Sequence, residues 1–326
     1  MKRILLVTIA VAALVVGALV AFVYVRARTK PVLDDAAREN APGLFVEVND
    51  GIVHYETAGD SAAPAVVFIH GSSAPYVVWD RNFHAIADAG YRTLRYDLFG
   101  RGFSDRPRVE YDRGLYVRQL AELIEACGLR TPVHVVGLSM GGALAVSFAD
   151  SLPDRVASLI LVSPAGPYLA SVAARNQVGR LVDRLKALVN PSSEHEKRRE
   201  AVEPLVPAIR QQLKYRGVEW ATYSFLKNRN AERLERSFVN VGGHPRPGLL
   251  IWGTDDTVLS FAFADSVKKY LVNFELHPIP GAGHASQFER PDTVNTLMLA
   301  FLRRAAGVQT GETVGAVKEP EGGPGR

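Results

Sequence analysis

Val133-His134-Val135-Val136-Gly137-Leu138-Ser139-Met140-Gly141-Gly142-Ala143-Leu144-Ala145 runs from an apolar stretch, through Gly-x-Ser-x-Gly, into small residues. An apolar stretch of this kind is predicted to be a buried strand, and the small residues to open a helix. A serine between them sits on a sharp strand-to-helix turn, with its Oγ projecting from the sheet edge. Such a strained turn tolerates only small neighbours, so glycine stands two residues away on each side. The following helix points its first N–H groups at any oxyanion formed there. Five-residue patterns recur by chance, and the reading needs its context.

A serine hydroxyl is a poor nucleophile near neutral pH and needs a base within hydrogen-bond reach. His284, in Gly281-Ala282-Gly283-His284, follows the short run Phe274–Ile279 and suits that task. The chain has eight histidines, so His284 alone would pass for a surface residue. Trp252-Gly253-Thr254-Asp255-Asp256 follows the apolar Leu249-Leu250-Ile251. A carboxylate at such a strand end can hold a histidine tautomer, although a turn aspartate capping a helix near Ser260 fits as well. The chain order serine, aspartate, histidine is that of the α/β-hydrolase triad rather than the chymotrypsin or subtilisin type. His70-Gly71-Ser72-Ser73 follows the strand-like Ala65–Ile69. An oxyanion hole takes one N–H from the residue after the nucleophile, here Met140, and one from an earlier post-strand loop, here Ser72.

Together these residues resemble the α/β-hydrolase superfamily from about Phe45 to Arg304. The matching motifs are His70-Gly71, the Asp-x-x-Gly-x-Gly-x-Ser loop Asp97–Ser104, the Gly-x-Ser-Met-Gly-Gly elbow at 137–142, Gly253–Asp256, and Gly283-His284. The resemblance implies an α/β fold with a mostly parallel eight-stranded sheet wrapped by helices. A helical cap is expected after the sixth strand. It also implies a triad of Ser139, Asp256 and His284, with oxyanion donors Ser72 and Met140. Asp256 rather than Asp255 follows from the family's Gly-x-x-Asp spacing. Haloalkane dehalogenases and epoxide hydrolases resemble this chain but carry a nucleophilic aspartate, and usually His-Gly-x-Pro where Ser73 stands here. Some relatives place the acid after the sixth strand; Ser163-Pro164-Ala165-Gly166 there holds no carboxylate.

The 326 residues allow one large α/β domain, and 47% hydrophobic residues can fill its core. A net charge of +4 is too mild to argue for nucleic acid. The single cysteine, Cys127, excludes an intrachain disulfide and reads as helical packing. Neither a metal-ligand cluster nor a dinucleotide-binding glycine pattern occurs, and no cofactor is expected. Ile4 to Val25 is uncharged over 22 residues, enough to span a bilayer core of about 30 Å as a helix. We therefore expect residues 1–30 to form a transmembrane signal anchor, with a cleaved signal peptide as the rival. The expected protein is single-pass in the membrane, with its catalytic domain outside the cytoplasm, periplasmic or lumenal. Residues 31–44 read as a tether, 45–166 as the first part of the core and 167–236 as the cap. Residues 237–306 complete the core, and 307–326 read as a disordered tail. Phe45–Val48 and Ile52–Tyr55 around Asn49-Asp50-Gly51 read as a hairpin. The 167–236 stretch carries 14 basic and 8 acidic residues, a net of +6. That suits solvated helix faces or a lid leaning on anionic lipid. Its Tyr215, Trp220, Tyr223 and Phe225 read as cap core or pocket lining.

The expected activity is hydrolysis of carboxylic esters through an acyl-enzyme, with lipid esters such as monoacylglycerols as candidate substrates. Carbon–carbon bond hydrolysis, lactone hydrolysis and cofactor-free haloperoxidase or perhydrolase chemistry use the same triad and are the alternatives.

Overall fold

Asn49 and Asp50 form the two-residue turn that folds β1 (Leu44–Val48) onto β2 (Gly51–Ala58), with Val48 opposite Gly51. The expected hairpin is present, and Gly51, at φ 139°, already pairs with Val48 and opens the second strand. The Asn49 amide donates to Glu122 Oε1 at 2.6 Å and pins the turn to a neighbouring helix. A computed structural model describes residues 29–167, 200–228 and 231–307, with Leu14, Gly17 and Ala18.

The remaining strands are β3 (Ala65–Ile69), β4 (Arg92–Tyr96), β5 (Val133–Leu138), β6 (Val156–Val162), β7 (Gly248–Gly253) and β8 (Phe274–Ile279). They lie in the order β1-β2-β4-β3-β5-β6-β7-β8. The β1–β2 and β2–β4 pairs are antiparallel and the others parallel. The chain thus has the expected α/β-hydrolase fold. The central strands are apolar throughout because both faces are covered. Successive residues feed opposite layers: Val133 and Val135 with Leu159 and Leu161 on one side, Val136 and Leu138 with Ile160 and Val162 on the other. Each such side chain contributes about 1.5–3 kcal/mol by leaving water.

The described helices are α1 (Asp35–Arg38), α2 (Asp80–Asp88), α3 (Arg113–Ala126), α4 (Met140–Ser151), α5 (Val206–Leu213), α6 (Val218–Asn228), α7 (Ala231–Gly243), α8 (Phe263–Lys268), α9 (Ser286–Glu289) and α10 (Pro291–Ala305). Helix α3 starts where the Asp112 carboxylate accepts from Leu115 N, a side-chain cap. Helix α10 buries Val294, Met298, Phe301 and Leu302, a stripe at helical spacing, beside Phe83 and Ile86 of α2. Leu120 and Leu123 of α3, Leu144 and Phe148 of α4, and Phe238 of α7 fill the opposite layer.

Helix α7 runs unbroken through residue 236, and its Ser237 and Asn240 both donate to Asp150 of α4. The expected cap boundary therefore falls inside a helix that packs on the core. Of the cap stretch, residues 168–199 and 229–230 lie outside the described residues, as does the tail from 308. Trp220 and Tyr223 meet at a tilt on the surface, 51% and 58% exposed, rather than filling the cap. Phe225 turns inward onto Tyr116. Cys127 closes α3 beside Tyr55, and burial pushes its thiol up to about 11, which keeps it inert at neutral pH.

The membrane placement is corrected. Among the described residues no helix is long and apolar enough to cross a membrane. The longest, α10, has 15 residues and spans about 22 Å, short of a bilayer core, and its apolar stripe is spent on the sheet. Residues 4–25, save Leu14, Gly17 and Ala18, lie outside the described residues. Neither the single-pass anchor with an extracytoplasmic catalytic domain nor the lipid-leaning lid is retained.

Candidate active site

Ser139 stands between β5 and α4 with φ 55° and ψ −116°, a conformation that costs a non-glycine residue about 1–3 kcal/mol. The surrounding backbone holds it there. Ser139 N donates to Val162 O at 2.9 Å, and Ser139 O accepts from Ala165 N at 2.8 Å and from Gly142 N at 3.0 Å. Gly141 must be glycine, because a Cβ there would lie 2.3 Å from Ile69 O. The turn leaves the Ser139 side chain half-buried and Met140 as the first helical residue.

Asp256 follows β7 and is sealed from solvent. Its Oδ1 accepts from Val258 N and Leu259 N, each at 2.8 Å, and its Oδ2 meets His284 Nδ1 at 2.8 Å. That contact assigns the ring proton to Nδ1 and leaves Nε2 as a basic lone pair. Asp255 lies in the turn instead: its N–H donates to Ala282 O, and its Oδ1 accepts from Thr254 Oγ1. Thr254 Oγ1 in turn accepts from Gly281 N, so this turn ties the end of β7 to that of β8. Glu289, which the sequence reading missed, accepts from Gly283 N at 2.7 Å and from Ala285 N at 3.2 Å. It thereby pins the peptides on both sides of His284. A carboxylate five residues after a Gly-His loop was the available signal.

The loop after β3 approaches Ser139 closely: a Cβ on Gly71 would lie 3.4 Å from Ser139 Cβ. His70 sits beneath it, fully buried. Its Nδ1 donates to Gly71 O at 2.6 Å and its Nε2 accepts from Leu98 N at 2.9 Å, so the ring is the neutral Nδ1–H tautomer. Burial pushes its pKa down to about 4, against the raising pull of Asp97. Asp97 itself accepts from Tyr76 N and Phe103 N and bonds His54 Nδ1 at 2.7 Å. Burial alone would raise its carboxyl; the His54 bond and charge, then His70 and the Tyr76 N–H, hold it below the usual range. Gly102 allows this approach, since a Cβ would strike Asp97 Oδ2 at 1.8 Å.

Ser139, Asp256 and His284 all leave the carboxyl edge of the parallel strands, where open α/β sheets bind ligands. The structure joins Asp256 to His284 directly. Among the described residues no hydrogen bond links Ser139 Oγ to the ring, as is common without substrate. The arrangement offers a positioned hydroxyl, an oriented base and two candidate N–H donors. Among the described residues no group of three or more His, Cys, Asp or Glu could hold a metal ion.

The sequence pattern described as "Alpha/beta hydrolase family" matches residues 66–297. The chain is 30% identical over 285 residues to a 2-hydroxy-6-oxo-6-phenylhexa-2,4-dienoate hydrolase of Comamonas testosteroni, covering 79% of this chain and 93% of that protein. It is 31% identical over 288 residues to a 2-hydroxy-6-oxononadienedioate/2-hydroxy-6-oxononatrienedioate hydrolase of Burkholderia vietnamiensis, covering 82% and 97%. A bromoperoxidase of Bacillus anthracis superposes with a TM-score of 0.64 at 21% identity, over 80% of this chain and 99% of that one; it shares the fold.

Proposed function

Since the chain belongs to the α/β-hydrolase family, we propose that Ser139, His284 and Asp256 form its triad and that it hydrolyses a carbon–carbon bond beside a ketone in a 2-hydroxy-6-oxodienoate. The observation that carries the substrate class is the 30–31% identity, over nearly the full length of the relatives, to hydrolases of such compounds. The motifs alone favoured carboxylic esters; the relatives move the weight to the carbon–carbon alternative, which needs the same machinery.

Ser139 Oγ attacks the C6 carbonyl while its proton passes to His284 Nε2. Asp256 holds the ring proton at Nδ1 and stabilises the imidazolium. The N–H groups of Ser72 and Met140 take the oxyanion, at a contribution of about 3–4 kcal/mol per well-placed donor. Carbon is a poor leaving group unless its electron pair is delocalised. In the 2-oxo tautomer C5 adjoins a conjugated enone, so the C5–C6 pair flows onto the C2 oxygen, which takes the proton from His284. Water, deprotonated by His284, then releases the acid from Ser139.

The test is side-by-side turnover of 2-hydroxy-6-oxo-6-phenylhexa-2,4-dienoate, p-nitrophenyl acetate and a monoacylglycerol by the wild type and Ser139→Ala. We expect the dienoate to show the highest kcat/KM and Ser139→Ala to lose about 10⁴–10⁶ in kcat. Ester turnover with no dienoate turnover would return the ester reading. A Ser139→Ala variant above a tenth of wild-type rate would remove Ser139 as nucleophile.

A further inference from the structure

Three successive carbonyls of the loop after β3 are each held by a different side chain. Gly71 O accepts from His70, Ser72 O from Arg101 Nε at 2.8 Å, and Ser73 O from Gln212 Nε2 at 2.6 Å. A trans peptide sets its N–H opposite its C=O, so the Gly71, Ser72 and Ser73 carbonyls fix where the Ser72, Ser73 and Ala74 N–H groups point: His70 aims the Ser72 N–H, and Arg101 and Gln212 hold the two peptides that follow. Gln212 belongs to cap helix α5 and is buried; its Oε1 also accepts from Gly102 N at 3.1 Å. Arg101 is buried too, and its guanidinium reaches Gly100 O, then cap helix α6 through Thr222 Oγ1 at 2.9 Å and Val218 O at 3.5 Å. Thr222 Oγ1 donates to Val218 O, which leaves its lone pairs to Arg101. Among the described residues no carboxylate pairs with the Arg101 guanidinium; its partners are carbonyls and one hydroxyl.

We propose that the seated cap completes the oxyanion hole: Gln212 at the Ser73 carbonyl, and Thr222 through Arg101 at the Ser72 carbonyl, are positioning residues that brace the two peptides after Ser72 and so steady the residue whose N–H His70 aims at the transition-state oxygen. The two bonds reach the loop from separate cap helices, so lifting α5 and α6 removes both at once. His70 then still holds the peptide that carries the Ser72 N–H, but that peptide loses the bracing of the two that follow it, and the hole loosens. Cap closure over a substrate and assembly of the hole are one event. The cap therefore acts on the chemical step as well as on access to Ser139. This inference rests on Ser139 being the nucleophile.

Phenylboronic acid and benzoate separate positioning from mere support of the fold. The boronic acid accepts an electron pair from Ser139 Oγ as the hydroxyl proton passes to His284, and the adduct places an oxygen in the hole. Benzoate binds without forming that bond. In Gln212→Met and Thr222→Val we expect the phenylboronic acid Ki to rise about tenfold, below the 10²–10³ lost with a whole donor. The benzoate Ki and the substrate KM should stay within about twofold, while kcat falls in step with the boronate affinity. Tyr223→Ser, on the exposed side of α6, should leave both inhibitors unchanged. Thr222→Val keeps shape and volume, so the test survives if Gln212→Met fails to fold. Unchanged boronate affinity, or equal weakening of both inhibitors, overturns the inference. Fluorophosphonate labelling of the wild type but not of Ser139→Ala shows that such a failure belongs to the cap alone. A wild type that does not label overturns the serine-hydrolase reading and this inference with it.

Discussion

Asp256 and Asp97 are built alike: each is buried, accepts from two backbone N–H groups and bonds a histidine Nδ1, at 2.8 and 2.7 Å respectively. Their histidines differ at the second nitrogen. His54 Nε2 faces Pro42 O, and its ring is stacked between Phe45 and Tyr76 with Phe103 at its edge. His284 is 20% exposed, and among the described residues its Nε2 has no hydrogen-bond partner. An imidazole bonded at both nitrogens is a strut, here between the segment before β1 and the Asp97–Ser104 loop. An imidazole bonded at one can accept a proton. The carboxylate is the same device in both places; the fate of the far nitrogen separates support from chemistry.

The largest effect should come from Asp256→Asn. It should lower kcat by about 10⁴, because the amide favours the wrong tautomer of His284, and should shift the melting temperature little. Asp97→Asn should do the reverse. Removing one partner of a buried pair costs about 3–5 kcal/mol, or roughly 5–15 °C of melting temperature, while the folded fraction keeps more activity than Asp256→Asn. Kinetics and thermal melts of the two variants check the ranking, and a reversal in either breaks the contrast between strut and base.

A smaller effect sharpens it through pH. His70 and His134 are each pushed down to about 4 by burial, with neighbouring charges and a backbone bond modifying His70, whereas an unfolded histidine titrates near 6.5. Below 6.5 the unfolded chain binds protons that these folded rings refuse until about 4. Stability is therefore full above 6.5 and falls as pH drops toward 4, by up to about 3 kcal/mol per ring. Urea midpoints between pH 7 and 4 measure this. His134→Gln, placed so that its amide can still meet Ser158, should make the fall shallower; an unchanged slope would show that His134 is not refusing the proton. The smallest effect is expected for Asp255→Asn, about twofold in kcat, because that carboxylate serves the β7–β8 turn. A large loss would move the orienting role to Asp255.

The elbow at Ser139, the His70-Gly71 loop and the Gly283-His284 loop were legible because each chemistry needs particular residue types at a strand end. Local backbone demands write themselves into adjacent positions. Glu289, Arg101 and Gln212 were not legible. A glutamate, an arginine and a glutamine have many uses, and theirs depend on which carbonyl or N–H the fold delivers to them. The exposure of Trp220 and Tyr223 likewise depends on which side of α6 the core covers. The long apolar N-terminal run invited a membrane reading that the described helices do not support.

The sequence by itself determined the succession of strands and helices from Phe45 to Val162 and the residue types at the three strand ends. Runs apolar at every position have only the interior of a covered sheet to occupy, and the glycine-flanked serine has only a tight turn. Tertiary structure alone decided which nitrogen of each histidine is spent and which side chains of α5 and α6 hold the loop after β3, whereas the Gly-x-x-Asp spacing had already singled out Asp256, which the fold brings to His284. Those outcomes rest on hydrogen bonds a few ångströms long, most of them between residues 12 to 139 positions apart, and chain order does not carry that geometry.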